Sequence, residues 1–167
     1  LYLNAMSKNT INFGVGFSEF FGSRDESDLV FSSNTVTGKT YFVIDTDYAS
    51  HVMISDKKGQ IGIVSLESNG IEMVDLITVD KTRIFKEMRF KNTEIDILEK
   101  TKKSSEAISN AVDAGRIVMA ADSIGASKAM LDKAVEYSKE RKQFNRVIGS
   151  FQAVKHMCAE MASELEP

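Results

Sequence analysis

Near Lys100 the apolar residues of this chain change period. Before it they alternate in short runs, after it they recur every three to four residues, and no single regular element accommodates both spacings. From about Ser104 to Arg141 there is no proline, and Ile108, Ala111, Val112, Gly115, Val118, Ala121, Gly125 and Ala129 fall at helical spacing, which predicts one long helix. A break follows at Asn145–Gly149. Val154, Met157, Cys158, Met161 and Leu165 then repeat the period for a second helix, expected to run antiparallel to the first.

Residues 1–99 read as a different class of structure. Short segments rich in Val, Ile, Phe, Tyr and Thr, punctuated by glycine and polar clusters, predict an antiparallel β domain. The expected strands are Thr37–Ile44, His51–Ser55, Ile61–Leu66, Ile71–Val74, Thr82–Phe85, Glu87–Phe90 and Glu94–Leu98, with turns at residues 56–59 and 68–70. Around the last of these, Thr93, Ile95 and Ile97 alternate with Glu94, Asp96 and Leu98, which suggests a strand near a sheet edge with one wetter face. The fold class is therefore α+β: a barrel-like antiparallel β domain over residues 1–99, then an antiparallel helix pair over residues 100–167, an incomplete bundle because two helices alone cannot bury both sides of the apolar stripe.

Bulk properties exclude several functions. A hydrophobic content of 43% in 167 residues suffices for a core, and a net charge of −3 argues against general nucleic-acid affinity. The single cysteine, Cys158, lies on an apolar helical stripe, so it reads as a small core residue and no internal disulfide can form. No run of about eighteen apolar residues occurs, so no membrane span is expected. His51 and His156 are isolated and read as structural residues. No metal site is expected.

One cluster carries chemistry. In the segment from Glu140 to Arg146, Arg141, Lys142 and Arg146 outnumber Glu140 and surround Phe144. Arginine presents a fixed donor fork to phosphate oxygens, the Gln143 amide can bond the edge of a heterocycle, and Phe144 can pack on an adenine or ribose. The same composition suits a solvated helix end whose cations complement the C-terminal dipole, and composition alone favours that second reading.

Spacing beyond the cluster carries a resemblance. Asp113 and Arg116, the run from Tyr137 to Phe144, and Phe151-Gln152 resemble the first two helices of the C-terminal domain in the acyl-CoA dehydrogenase family. The resemblance implies that Arg141, Lys142, Gln143, Phe144 and Gln152 hold the adenosine diphosphate part of an FAD bound mainly by a neighbouring subunit. It also puts Asp113 and Arg116 near the acyl-CoA, although at i, i+3 they equally suit a surface ion pair. Phe17-Ser18-Glu19 is similar to the family's aliphatic-Thr-Glu loop beside the flavin ring, with Ser18 keeping the hydroxyl, and Ser23 or Arg24 takes the place of a serine that contacts substrate. The segment from Thr37 to Asp45 resembles a family strand on which Phe42 and Val43 face the flavin, with Ile44 where many relatives carry a flavin-bonding threonine.

The implied function is FAD-dependent α,β-dehydrogenation of an acyl-CoA thioester, within fatty acid metabolism. The implied assembly is a homodimer or homotetramer sharing flavin across subunits, in the cytoplasm or, in a eukaryote, the mitochondrial matrix. No catalytic residue is assigned: the position before Arg116, which supplies the base in some branches, is Gly115. The chain alone is accordingly expected to be inactive. Two alternatives stay open, a divergent non-catalytic module of the same fold binding flavin, CoA or a partner, and an unrelated β-plus-helix interaction domain.

Overall fold

The computed structural model describes residues 2–19, 28–99 and 103–166. By contacts the chain divides into two compact units, Leu1–Ser109 and Asn110–Pro167.

In the first unit a short helix, α1 (Tyr2–Ser7), precedes eight strands: β1 (Phe13–Gly16), β2 (Val30–Ser32), β3 (Thr35–Ile44), β4 (His51–Ser55), β5 (Ile61–Ser65), β6 (Ile71–Asp75), β7 (Phe85–Glu94) and β8 (Asp96–Ile97). They form one sheet in the order β6-β7-β3-β1-β4-β5-β8, with β2 paired to β3. The expected barrel is not closed, because β6 and β8 end the sheet without pairing to each other among the described residues. One pair departs from the antiparallel pattern: β1 runs parallel to β4, with Phe13 opposite His51 and Gly16 opposite Ile54. Its core gathers Leu29, Val36, Val43, Val52, Ile54, Val64, Met88, Phe90 and Ile95, largely the inward residues of alternating strands.

The predicted strand at His51–Ser55 forms at those bounds, and both expected turns occur. At the first, Asp56 Oδ1 accepts the Lys58 and Gln60 N–H groups at 2.8 Å each while Gly59 turns the chain at φ +73°. Of two expected strands, Glu87–Phe90 lies within the single β7, which also takes Glu94, whereas Thr82–Phe85 contributes only Phe85 to it, with a bend at residues 82–83 before the strand. Lys86 had looked like a break. Its ammonium is instead neutralised in place, 2.6 Å from Asp75 and 2.9 Å from Asp47, so β7 keeps its ladder through a charged residue. Hydrogen bonds to Asp75 and then Asp47 raise the Lys86 titration, so this stabilisation is present below the ordinary lysine range and is lost as pH rises through the raised value. Lys86→Met should lower stability by about 1–2 kcal/mol near neutral pH, the range for charge-assisted bonds discounted for the exposure of Asp75. Urea denaturation of wild type and variant checks it; equal midpoints would show the bridge to be energetically silent.

Gly14 and Gly16 serve packing. A side chain at Gly14 would stand 2.8 Å from the Ile44 carbonyl oxygen, and one at Gly16 2.9 Å from a Val43 methyl, so these glycines let β1 lie against β3.

The second unit contains most of α2 (Ser104–Glu140), a two-stranded ribbon of β9 (Lys142–Gln143) and β10 (Arg146–Val147), a single 3-10 turn, and α3 (Gln152–Leu165). Leu131 and Val135 of α2 line a groove with Cys158 and Ala162 of α3. Lys128 feels the charge of Glu166, and a side chain at Gly149 would stand 2.9 Å from the Ser138 carbonyl oxygen, so the helices run antiparallel. Beyond that seam the middle of α2 is largely bare: Ile117 is 71% exposed, Met130 63% and Ile124 58%.

Candidate functional site

The candidate residues fall into two groups, one in each unit. In the β unit, β1 delivers Phe17 and Ser18 beside β3, because the antiparallel register that sets Val15 opposite Ile44 carries the next residues toward Phe42 and Tyr41. The Ser18 hydroxyl donates to the Tyr41 carbonyl at 2.7 Å and lies 3.1 Å from the Thr40 hydroxyl. Its proton is thereby committed, and toward any ligand this oxygen acts as an acceptor.

Phe42 occupies an unusual backbone. The β3–β7 register shifts between Thr40 and Val43, and Phe42 takes φ +56° at that bulge, a left-handed conformation uncommon for a bulky residue. Backbone strain of this kind persists where the surroundings over-determine it and concentrates at functional sites. The ring is half-buried, edge-on to Phe85 with centroids 6.2 Å apart. Val43, by contrast, is fully buried in the core, so only its backbone can face a ligand. Four of the predicted cofactor residues thus meet at the junction of β1 and β3. Ser23 and Arg24 lie outside the described residues.

In the helical unit, the Arg141 N–H bonds the Tyr137 carbonyl at 2.9 Å and closes α2. The chain reverses at once through β9 and β10, with Gln143 opposite Arg146 and Lys142 opposite Val147. Both central turn residues, Phe144 and Asn145, have positive φ, 54° and 61°, the signature of the two-residue hairpin that matches strand twist. That turn thrusts Phe144 into solvent, 88% exposed, with only the edge of Phe151 against it at 6.2 Å. Arg141, Lys142 and Gln143 are exposed as well. The Arg146 guanidinium lies 3.9 Å over the Phe151 ring and is held there by a cation–π contact. Phe151 belongs to the Phe151-Gln152 pair that carries the resemblance, where it has no role of its own; the structure makes it the platform under Arg146. Gln152 opens α3 with its amide 3.1 Å from His156 Nε2.

Asp113 and Arg116 pair with each other on the α2 surface, 2.8 Å apart and both more than half exposed. They stand about 36–40 Å along the helix axis from its C-terminal end, at about 1.5 Å per residue, so they do not join the hairpin group. Among the described residues no helix is long and apolar enough to cross a membrane.

A family model described as acyl-CoA dehydrogenase, C-terminal domain, matches residues 105–167. The chain is similar to the CarC subunit of a caffeyl-CoA reductase-Etf complex from Acetobacterium woodii, 31% identical over 134 residues that make up 80% of this chain. It has the same 31% identity to a 3-(aryl)acrylate reductase of Clostridium sporogenes, over 135 residues. Among solved structures, butyryl-CoA dehydrogenase from Megasphaera elsdenii matches 99% of this chain with a TM-score of 0.82 at 22% identity, a likeness of fold. The chain spans 31% of each of the two reductases and 48% of the butyryl-CoA dehydrogenase.

Proposed function

Since this chain belongs to the acyl-CoA dehydrogenase family, we propose that it supplies the FAD-contacting β domain and the first two C-terminal helices of a flavin-dependent oxidoreductase acting on acyl-CoA thioesters. The observation that carries this is the hairpin after α2. Arg141 and Lys142 make none of the ion pairs formed among the described residues, and they flank an aromatic held in solvent by a strained turn. Exposed cations beside an exposed ring fit a diphosphate joined to an adenine.

In this reading Arg141, Lys142, Gln143, Phe144 and Gln152 hold the distal ADP portion, while Phe17, Ser18, Phe42 and the Val43 backbone stand against the ring system. When bound, the flavin supplies hydride acceptance from the acyl β-carbon, or hydride donation in the reductive direction. The chain's own part is to orient and to exclude water. Ser18 offers an acceptor, Phe42 an apolar face, and the hairpin a charge clamp. Ser23, Arg24, Asp113 and Arg116 are proposed for the acyl-CoA. The bare α2 face suits the remaining helices of the family's bundle, and the exposed hairpin suits a flavin shared between subunits of a homodimer or homotetramer. A setting in fatty acid metabolism, in the cytoplasm or mitochondrial matrix, belongs to the same reading.

No base is proposed in this chain, because Gly115 has no side chain to take the acyl α-proton. That glycine is the specific observation favouring a second reading, a non-catalytic member of the same fold. An absorption spectrum of the complete gene product separates the two. Flavin bands that bleach on adding acyl-CoA support the enzyme, stable bands support a flavin-binding non-catalytic member, and a colourless protein overturns the enzyme reading.

A further inference from the structure

Directly after Ser18 the β unit seals a carboxyl group away from water without giving it a partner. Glu19 is 1% exposed, and neither carboxylate oxygen has a hydrogen-bond partner among the described residues. The Leu29 N–H approaches it without meeting hydrogen-bond geometry. Ser55 is fully buried and its hydroxyl oxygen is likewise unpartnered. Ser55 is one residue beyond Ile54, which faces Gly16 across the parallel β1–β4 pair. The orphaned polar atoms therefore gather at the end of β1, where the chain passes into Phe17 and Ser18.

A carboxyl in such a place tolerates a proton far better than a charge, because ionising it forfeits hydration that nothing nearby replaces. Among the described residues the charged groups facing it are Lys57, which attracts the carboxylate, and Asp28 and Asp56, which repel it. Loss of hydration outweighs the lysine, and the carboxyl titrates above the ordinary glutamate range.

We propose that Glu19 is a positioning residue: while it carries its proton it keeps the Phe17–Ser18 segment seated on β3, and its ionisation loosens that segment and the flavin with it. The inference rests on the flavin reading of Ser18. Its sign follows from the upward displacement. A group whose folded titration is raised contributes fully below its unfolded value and loses that contribution as pH rises through the folded one, so retention should fall on the alkaline side.

The test uses the complete gene product, with flavin released on dilution followed by fluorescence in the cold at about pH 5.5 and about pH 8.5. Wild type should release markedly more flavin at the higher pH than at the lower. Glu19→Gln, which keeps the shape without the charge, should release equally little at both. Lys57→Met removes the attracting cation and should move the midpoint of release to higher pH, a readout independent of whether the glutamine variant folds. A merely structural role would shift the melting temperature and leave the cold release profile unchanged. Flavin retention that is flat with pH in wild type, or equally pH-dependent in Glu19→Gln, or a midpoint unmoved by Lys57→Met, overturns the inference while the flavin reading stands. A protein purified without flavin overturns that reading and the inference together.

Discussion

Arg141→Ala should weaken flavin binding by the complete protein roughly ten- to a hundredfold, the equivalent of about 1.5–3 kcal/mol for one charge-assisted phosphate contact. The substitution is a clean one. The Arg141 backbone is held independently of its side chain, its N–H by Tyr137 and its carbonyl by the Ile148 N–H at 2.8 Å, so the hairpin should persist without the guanidinium. The side chain itself is exposed and has no ion-pair partner among the described residues to strand. Arg146 provides the contrast. Its guanidinium packs on Phe151, so Arg146→Ala should disturb the hairpin as well as any ligand. The measurement is flavin per polypeptide after gel filtration of both variants. Occupancy unchanged in Arg141→Ala would remove this arginine from the flavin site.

Gly38→Ala is expected to be the most damaging single-methyl substitution in the β unit. Gly38 lies at the first bulge of β3 with φ +114°, a conformation that L side chains rarely adopt, which alone represents about 1–3 kcal/mol of strain. A Cβ there would also overlap the Asp28 carbonyl, and backbone cannot yield as a flexible side-chain end can. The two effects together should remove about 3 kcal/mol or more, comparable to truncating a buried leucine or isoleucine to alanine. Chemical denaturation, or the soluble yield where folding fails, reads the result. A variant within about 0.5 kcal/mol of wild type, the scatter of ordinary surface substitutions, would mean that β3 does not hold this bulge in solution.

Some of this protein was legible in its residues because the relevant forces are local. The long helix over residues 104–140 and its partner follow from apolar spacing and the absence of proline, properties that backbone geometry converts directly into structure. The turns at Gly59 and Gly70 follow from glycine's tolerance of positive φ. The basic hairpin was visible as a cluster, and its reversal at residues 145–149 as a break. What composition could not supply was the meaning of Gly14 and Gly16. They are spaces cut for Val43 and the Ile44 carbonyl, a requirement set by a strand nearly thirty residues away.

The remaining features were decided by packing. Whether Lys86 breaks a strand depends on Asp47 and Asp75 arriving from two other segments, and whether Glu19 is an ordinary surface acid depends on what closes over it. The left-handed turn of Phe42 arises from a register shift against β7, and the solvent position of Phe144 from a hairpin twist that its neighbours impose. Local sequence determined which segments are helix and strand, and which residues could offer charge, aromatic surface or a hydroxyl. Only the tertiary structure decided which of those groups lose water, which find a partner and which are left facing outward, because desolvation and hydrogen-bond satisfaction depend on residues distant in the chain that meet only once it has folded.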